Sequence, residues 1–139
     1  MTAKEYLGQA YRIDQRINSK LEQVGCLRGL ATKATSTISD TPPSGTRDFH
    51  SMEAIIVKIV DLEHEINTDI DILVDLKREI VGVIKRIGNP EHQTLLELRY
   101  LCFHPWEKVA VEMNYDLRYI HKLHRRALEE CSAFIPAGE

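Results

Sequence analysis

The sequence predicts an all-α protein: a long antiparallel helical hairpin of coiled-coil type, followed by a compact helix-turn-helix domain. Three observations predict it. Apolar residues recur at steps of three and four over two long stretches, the period of one helical face rather than of a strand. Aromatic residues make up only 6% of the chain, so the core must be built as seams of Leu, Ile and Val. Gly88-Asn89-Pro90 then separates these stretches from a run of shorter helical signals. On these grounds residues 1–88 form the hairpin, with a loop at about 31–47, and residues 89–139 form the helix-turn-helix domain.

The first helix begins near Ala3. Tyr6, Ala10, Ile13, Ile17, Leu21, Val24 and Leu27 form its stripe, while Arg12, Arg16, Lys20 and Arg28 fall off the stripe and should be solvated. Gly25 and Gly29 each cost roughly 1 kcal/mol relative to Ala, so the helix is expected to stop around Leu30. The next residues are rich in Thr and Ser, which compete for backbone hydrogen bonds, and Pro42-Pro43 excludes a continuing helix. The chain should reverse there.

The second helix carries an unbroken stripe from Met52 through Ile55, Ile59, Leu62, Ile66, Ile70 and Leu73 to Ile87. From Ser51 to Ile87 it would span about 55 Å. It cannot bury that stripe on itself and needs a partner helix. Residues 1–35 hold six basic and three acidic residues, whereas 48–88 hold five basic and nine acidic, so the two helices suit each other electrostatically. The first helix looks too short to cover the second, which leaves stripe for the C-terminal module or a second copy and predicts a homodimer through the hairpin. Gly82 is either a point of close helix approach or a tolerated neutral residue. Gly88 can supply a left-handed cap, Asn89 an N-cap and Pro90 the first helical turn.

The remaining signals are compact. Leu95, Leu96, Leu98, Leu101 and Cys102 make a short apolar helix, His104-Pro105 breaks it, and Trp106 to Met113 makes another. Asn114 can take the positive φ that a tight turn demands. Asp116 can cap a last helix running to Leu128. Ala110 leaves room where that helix crosses; Trp106, Val109, Met113, Ile120 and Leu123 form the inside. With Ile120 and Leu123 inward, the opposite face of the last helix carries basic groups. From Asp116 to Leu128 there are four basic residues against one acidic, although the whole chain has a net charge of −3. A recognition helix puts its N-terminal residues at base edges in the major groove. The candidate base-reading residues are therefore Leu117, Arg118, Tyr119, His121 and Lys122, with Arg125 and Arg126 placed for phosphates. Arg118 is the best candidate for bidentate readout of guanine.

The run Leu95 to Leu101, then Trp106 to Ala110 and Tyr119 to Leu128, resembles region 4 of bacterial sigma-70 factors. That resemblance implies a helix-turn-helix reading double-stranded promoter DNA and a contact with host RNA polymerase. Over nearly its full length, with Ile59 to Glu63 and Asp75 to Glu79 as further matching segments, the chain is similar to small phage and prophage proteins of Gram-positive bacteria. The nearest functional relatives implied are late-gene transcriptional activators. Asn114 stands where that family's turn often has Gly, and there is no counterpart of sigma region 2, so promoter melting is not implied.

Other chemistry finds little footing. There is no Walker-type loop, no HExxH and no GxSxG, so neither catalysis nor a cofactor is expected. Cys26, Cys102 and Cys131 are odd in number and widely spaced, unlike a disulfide framework. His121 and His124 with Cys102 and Cys131 lack the paired spacing of a structural zinc site, and both histidines are read as lying on the DNA face. The acidic residues of the second helix read as a solvated face. No apolar run approaches the roughly 20 residues of a membrane span, and Met1 to Tyr6 is no signal segment, so the expected location is the bacterial host cytoplasm. Two alternatives stay open: a small terminase-like packaging or structural protein, and a module that grips RNA polymerase without DNA.

Overall fold

The computed structural model describes the backbone of residues 1–40 and 46–136 and the side chains of 1–34 and 51–136. The protein is all-helical, with no strand among the described residues. Helix α1 spans Ala3–Asp40, α2 Thr46–Lys85, α3 Pro90–Leu96, α4 Trp106–Met113 and α5 Leu117–Cys131. A π-helical turn, Glu97–Leu101, extends α3, and a 3-10 turn, Ser132–Phe134, follows α5. No described helix is long and apolar enough to cross a membrane.

Both long helices exceed the sequence expectation. α1 runs to Asp40 instead of stopping at Leu30, and α2 starts at Thr46 rather than Ser51. Most of the expected loop at 31–47 is therefore helix; the rest, 41–45 with Pro42 and Pro43, lies outside the described residues. Gly, Ser and Thr cost only fractions of a kcal/mol to about 1 each, which a packed neighbour overrides. Thr32 shows how: its hydroxyl donates back to the Arg28 carbonyl at 3.0 Å, so the competing bond is satisfied inside the helix. With 38 and 40 residues, the two helices are near equals, and α1 is not too short for α2.

The chain divides into two compact units. One comprises Gln15–Asp71, the other Met1–Asp14 with Ile72–Glu139. In the first, α1 and α2 pair antiparallel over a seam that buries Ile17, Val24, Leu62 and Ile66. Lys20 is not solvated as its place off the stripe suggests: its Nζ lies 2.7 Å from Asp69 Oδ2, and both side chains are more than four-fifths buried. Leu21 and Ile70, expected in the seam, are exposed instead.

In the second unit the start of α1 and the end of α2 belong to the same core as the helix-turn-helix. Leu7, Ala10, Ile80, Ile84, Ile87, Leu95, Leu96, Val109, Ile120 and Ala127 form one buried cluster. The sequence boundary at residue 88 thus cuts through a continuous core. Gly82 is exposed and nothing approaches within 4 Å of where its Cβ would stand, so it marks no close contact. Gly88 stays outside the left-handed region. The end of α2 is closed by Gln93, whose side-chain amide donates to the Ile87 carbonyl at 2.6 Å and the Ile84 carbonyl at 3.3 Å. Asn89 caps α3 as expected, accepting from the backbone N–H of Glu91 at 2.9 Å.

Candidate nucleic-acid interface

The candidate interface is positioned first by the ending of α3. The Cys102 N–H donates to the Glu97 carbonyl at 3.0 Å, an i to i−5 bond that widens the last turn. The extra residue changes which side chains face in. Tyr100 is buried, and Cys102, read from the sequence as part of the apolar set, is exposed. Phe103 then reverses the chain with φ of 59°. Its ring is held by Tyr11 at 5.5 Å and by the Lys77 ammonium at 4.6 Å. α4 follows after Pro105.

The turn between α4 and α5 forms as its residues dictate. Asn114 sits at φ 62°, ψ 42°, and its N–H and that of Tyr115 close the end of α4 onto Val111 and Ala110. The Tyr115 hydroxyl donates to Glu91 Oε1 at 2.7 Å, which ties the turn to α3. Asp116 Oδ1 accepts from the Tyr119 N–H at 2.7 Å, an N-cap that fixes where α5 starts. The helix runs past Leu128 to Cys131, because Ala127 and Cys131 continue its buried face.

That face contains a polar centre the sequence reading missed. His124, assigned there to the DNA face, is buried, with Nε2 2.6 Å from the Tyr100 hydroxyl. The Trp106 ring packs on it at 4.5 Å. Burial lowers the His124 pKa to about 4, helped by the nearby Lys4 and Arg99 charges, so the ring is neutral at neutral pH. Burial likewise raises the Tyr100 phenol to about 12. The contact is therefore a neutral hydrogen bond, with the phenol donating when the histidine proton is on Nδ1. Arg99 stacks over Trp106 at 4.5 Å and donates to the His104 carbonyl at 3.0 Å. His92 Nδ1 meets Glu130 Oε1 at 2.8 Å and joins α3 to α5. The one sequence signal for an inward His124 was its place four residues after the inward Ile120, one turn along the same helical face.

The outer face of α5 is laid out by the same helical period. Arg118, Lys122 and Arg125 are exposed and follow at steps of four and three, so they form one row. Leu117 and His121 flank the row on the side of α4; the His121 ring lies 5.2 Å from Trp106. Arg126 flanks it on the other side. Tyr119, beside Arg126, is half-buried and packs on Tyr115 at 4.6 Å, which leaves it less free than its neighbours. A further cation joins from far away in sequence. Lys4 and Arg125 line one surface cleft of about 560 Å³ at the start of α1, together with Glu129. No local pattern announces this, because only the shared core brings Lys4 to α5.

The residues weighed for a metal site do not gather: Cys131 and His124 are buried, Cys102 and His121 exposed. Among the described residues no three His, Cys, Asp or Glu side chains group as metal ligands. Comparison with protein-family models, with characterised proteins and with solved structures finds no match.

Proposed function

We propose that the protein is a sequence-specific DNA-binding transcription regulator of phage or prophage type, with α5 as its recognition helix. The observation that carries this reading is the two-sidedness of α5. One side is locked into the core by Ile120, Leu123, His124 and Ala127; the opposite side presents Arg118, Lys122 and Arg125 in a row, with His121 and Arg126 beside it. A short, capped turn precedes this helix, the arrangement that lets a helix enter the major groove by its N-terminal end. The chain as a whole is acidic, with a net charge of −3, so duplex affinity rests on this local surface rather than on overall attraction. Lys4, which lines the same cleft as Arg125, is a further candidate for a phosphate contact. No chemistry of catalysis or of a bound cofactor enters this reading, and its setting is the cytoplasm of a bacterial host.

The test is selection of bound duplexes from random DNA, with wild type, Arg118→Ala and Arg126→Ala run in parallel. Wild type should enrich a defined site. Arg118→Ala should flatten preference at one position, a loss of about 1–3 kcal/mol in discrimination. Arg126→Ala should weaken all sequences alike and reduce the salt slope by about one phosphate contact, roughly 0.9 in the log–log plot. If both variants select and bind as wild type does, α5 is not the reading helix. If wild type binds no duplex at low salt but is retained by host RNA polymerase, the protein acts through the polymerase alone.

A further inference from the structure

The unit Gln15–Asp71 leaves one face of its helix pair open, and that face is patterned. On α2, Ile56, Val60, Glu63, Asn67 and Ile70 follow at steps of four, three, four and three, which places them on one stripe beside the buried seam. Ile56 is 51% exposed, Val60 46% and Ile70 40%. On α1, Leu21, 51% exposed, Gly25 and Arg28 make the matching stripe. The two stripes lie on the same side of the pair, because Arg28 Nη2 reaches across to Glu63 Oε1 at 3.6 Å. The Lys20–Asp69 bridge, one residue before Leu21 and one before Ile70, puts those two side chains at the same level. The face therefore reads apolar, polar, apolar along its length. Gly25 keeps its centre open, with nothing within 4 Å of a Cβ built there.

We propose that this face binds a second copy of the chain, with a twofold axis parallel to the helices, to form a four-helix bundle. Charge selects this occupant and this arrangement. Residues 15–34 of α1 hold four basic residues and one acidic; residues 51–71 of α2 hold six acidic and one basic. A twofold axis along the helices lays α1 of one copy over α2 of the other, antiparallel, so opposite charges face each other. The same operation sets Leu21 on Ile70 of the second copy and Arg28 on Glu63 of the second copy, twice over, as an isologous interface requires. An axis across the helices would instead set α1 on α1 and α2 on α2, with like charges opposed. The exposed apolar residues are buried at both ends, and the central Arg28–Glu63 layer fixes the register, the role polar positions have in coiled coils. This inference does not depend on the DNA reading and is measured without nucleic acid.

The experiment is sedimentation of the full chain over a concentration series to the high micromolar range. Wild type should be a dimer. The double variant Val60→Glu with Ile70→Glu should weaken association by about a hundredfold, since each copy would bury charges against an apolar partner. Helicity should be unchanged, because both side chains are already exposed. Leu30→Glu, 49% exposed on the far side of α1, should remain a dimer. Arg28→Glu and Glu63→Arg should each weaken self-association by about tenfold or more, because like charges then meet twice. Mixing those two variants should restore a heterodimer, since every contact between copies is then complementary. A monomeric wild type overturns the proposal. So does a dimer that Leu30→Glu breaks and the double variant does not, or a failure of the mixed variants to associate.

Discussion

Asn114 and Asp116 set the geometry of the turn into α5 between them. Asn114 holds φ at 62°, where a β-branched residue is strained by roughly 1–2 kcal/mol. Asn114→Val should therefore lower stability by about that amount in urea titration, whereas Asn114→Gly should leave it level or slightly higher. Asp116→Ala removes the bond to the Tyr119 N–H and should cost about 1 kcal/mol. His124 gives a pH signature. Its folded pKa, near 4, lies below the ordinary value of 6.5, so the unfolded chain takes up the proton first. Its contribution is complete above about pH 6.5 and is lost as pH falls toward 4. Thermal melts across that window should show wild type losing stability more steeply than His124→Phe. At neutral pH the variant should already be weaker by about 1–3 kcal/mol, because the buried Tyr100 hydroxyl loses its partner.

The ends of α2 and α4 are closed by specific hydrogen bonds rather than by fading propensity. α1 passes Gly25 and Gly29 without a break because each loss is small beside the seam it packs on, and its backbone stays helical to Asp40. Just past the last turn of α2, the amide of Gln93, reaching back from α3, donates to the Ile87 carbonyl and shares the Ile84 carbonyl with the Ile87 N–H. Gln93→Leu should destabilise the protein by about 1 kcal/mol, as the part-buried Ile87 carbonyl loses its donor. The loss should be read by hydrogen exchange at residues 84–89, which should open earlier than in wild type. α3 widens into a π-turn instead of ending at once, and that one extra residue brings Tyr100 to His124.

At the scale of the whole molecule, the helix-turn-helix does not own its core. Leu7 and Ala10 from the start of α1 and Ile80, Ile84 and Ile87 from α2 share a cluster with Leu95, Val109 and Ile120. A fragment of residues 89–139 would expose the inner side of that cluster to water. Circular dichroism should show it with reduced helicity and no cooperative thermal transition. Leu95→Ala in the full chain should cost about 2–5 kcal/mol, the usual range for a fully buried leucine. The seam of the other unit should be untouched by it.

The sequence alone determined what depends on neighbours along the chain. Helical period, the caps at Asn89 and Asp116, the left-handed turn at Asn114 and the inward set of Val109, Ala110, Ile120 and Leu123 were all legible, because each is a local steric or hydrogen-bonding requirement. So was the outward placement of Arg118, Lys122 and Arg125, which follows from the inward set by rotation about the helix. What the sequence could not decide rests on contacts across space. The length of α1, the sinking of Lys20 onto Asp69 and of His124 onto Tyr100, the closing of α2 by Gln93 and the arrival of Lys4 beside Arg125 all depend on which distant surfaces meet. Leu21 and Ile70 are the clearest case. Periodicity places both in the seam, but two round helices bury only the residues on the line between them. Those one step off that line, such as these two, are left facing out.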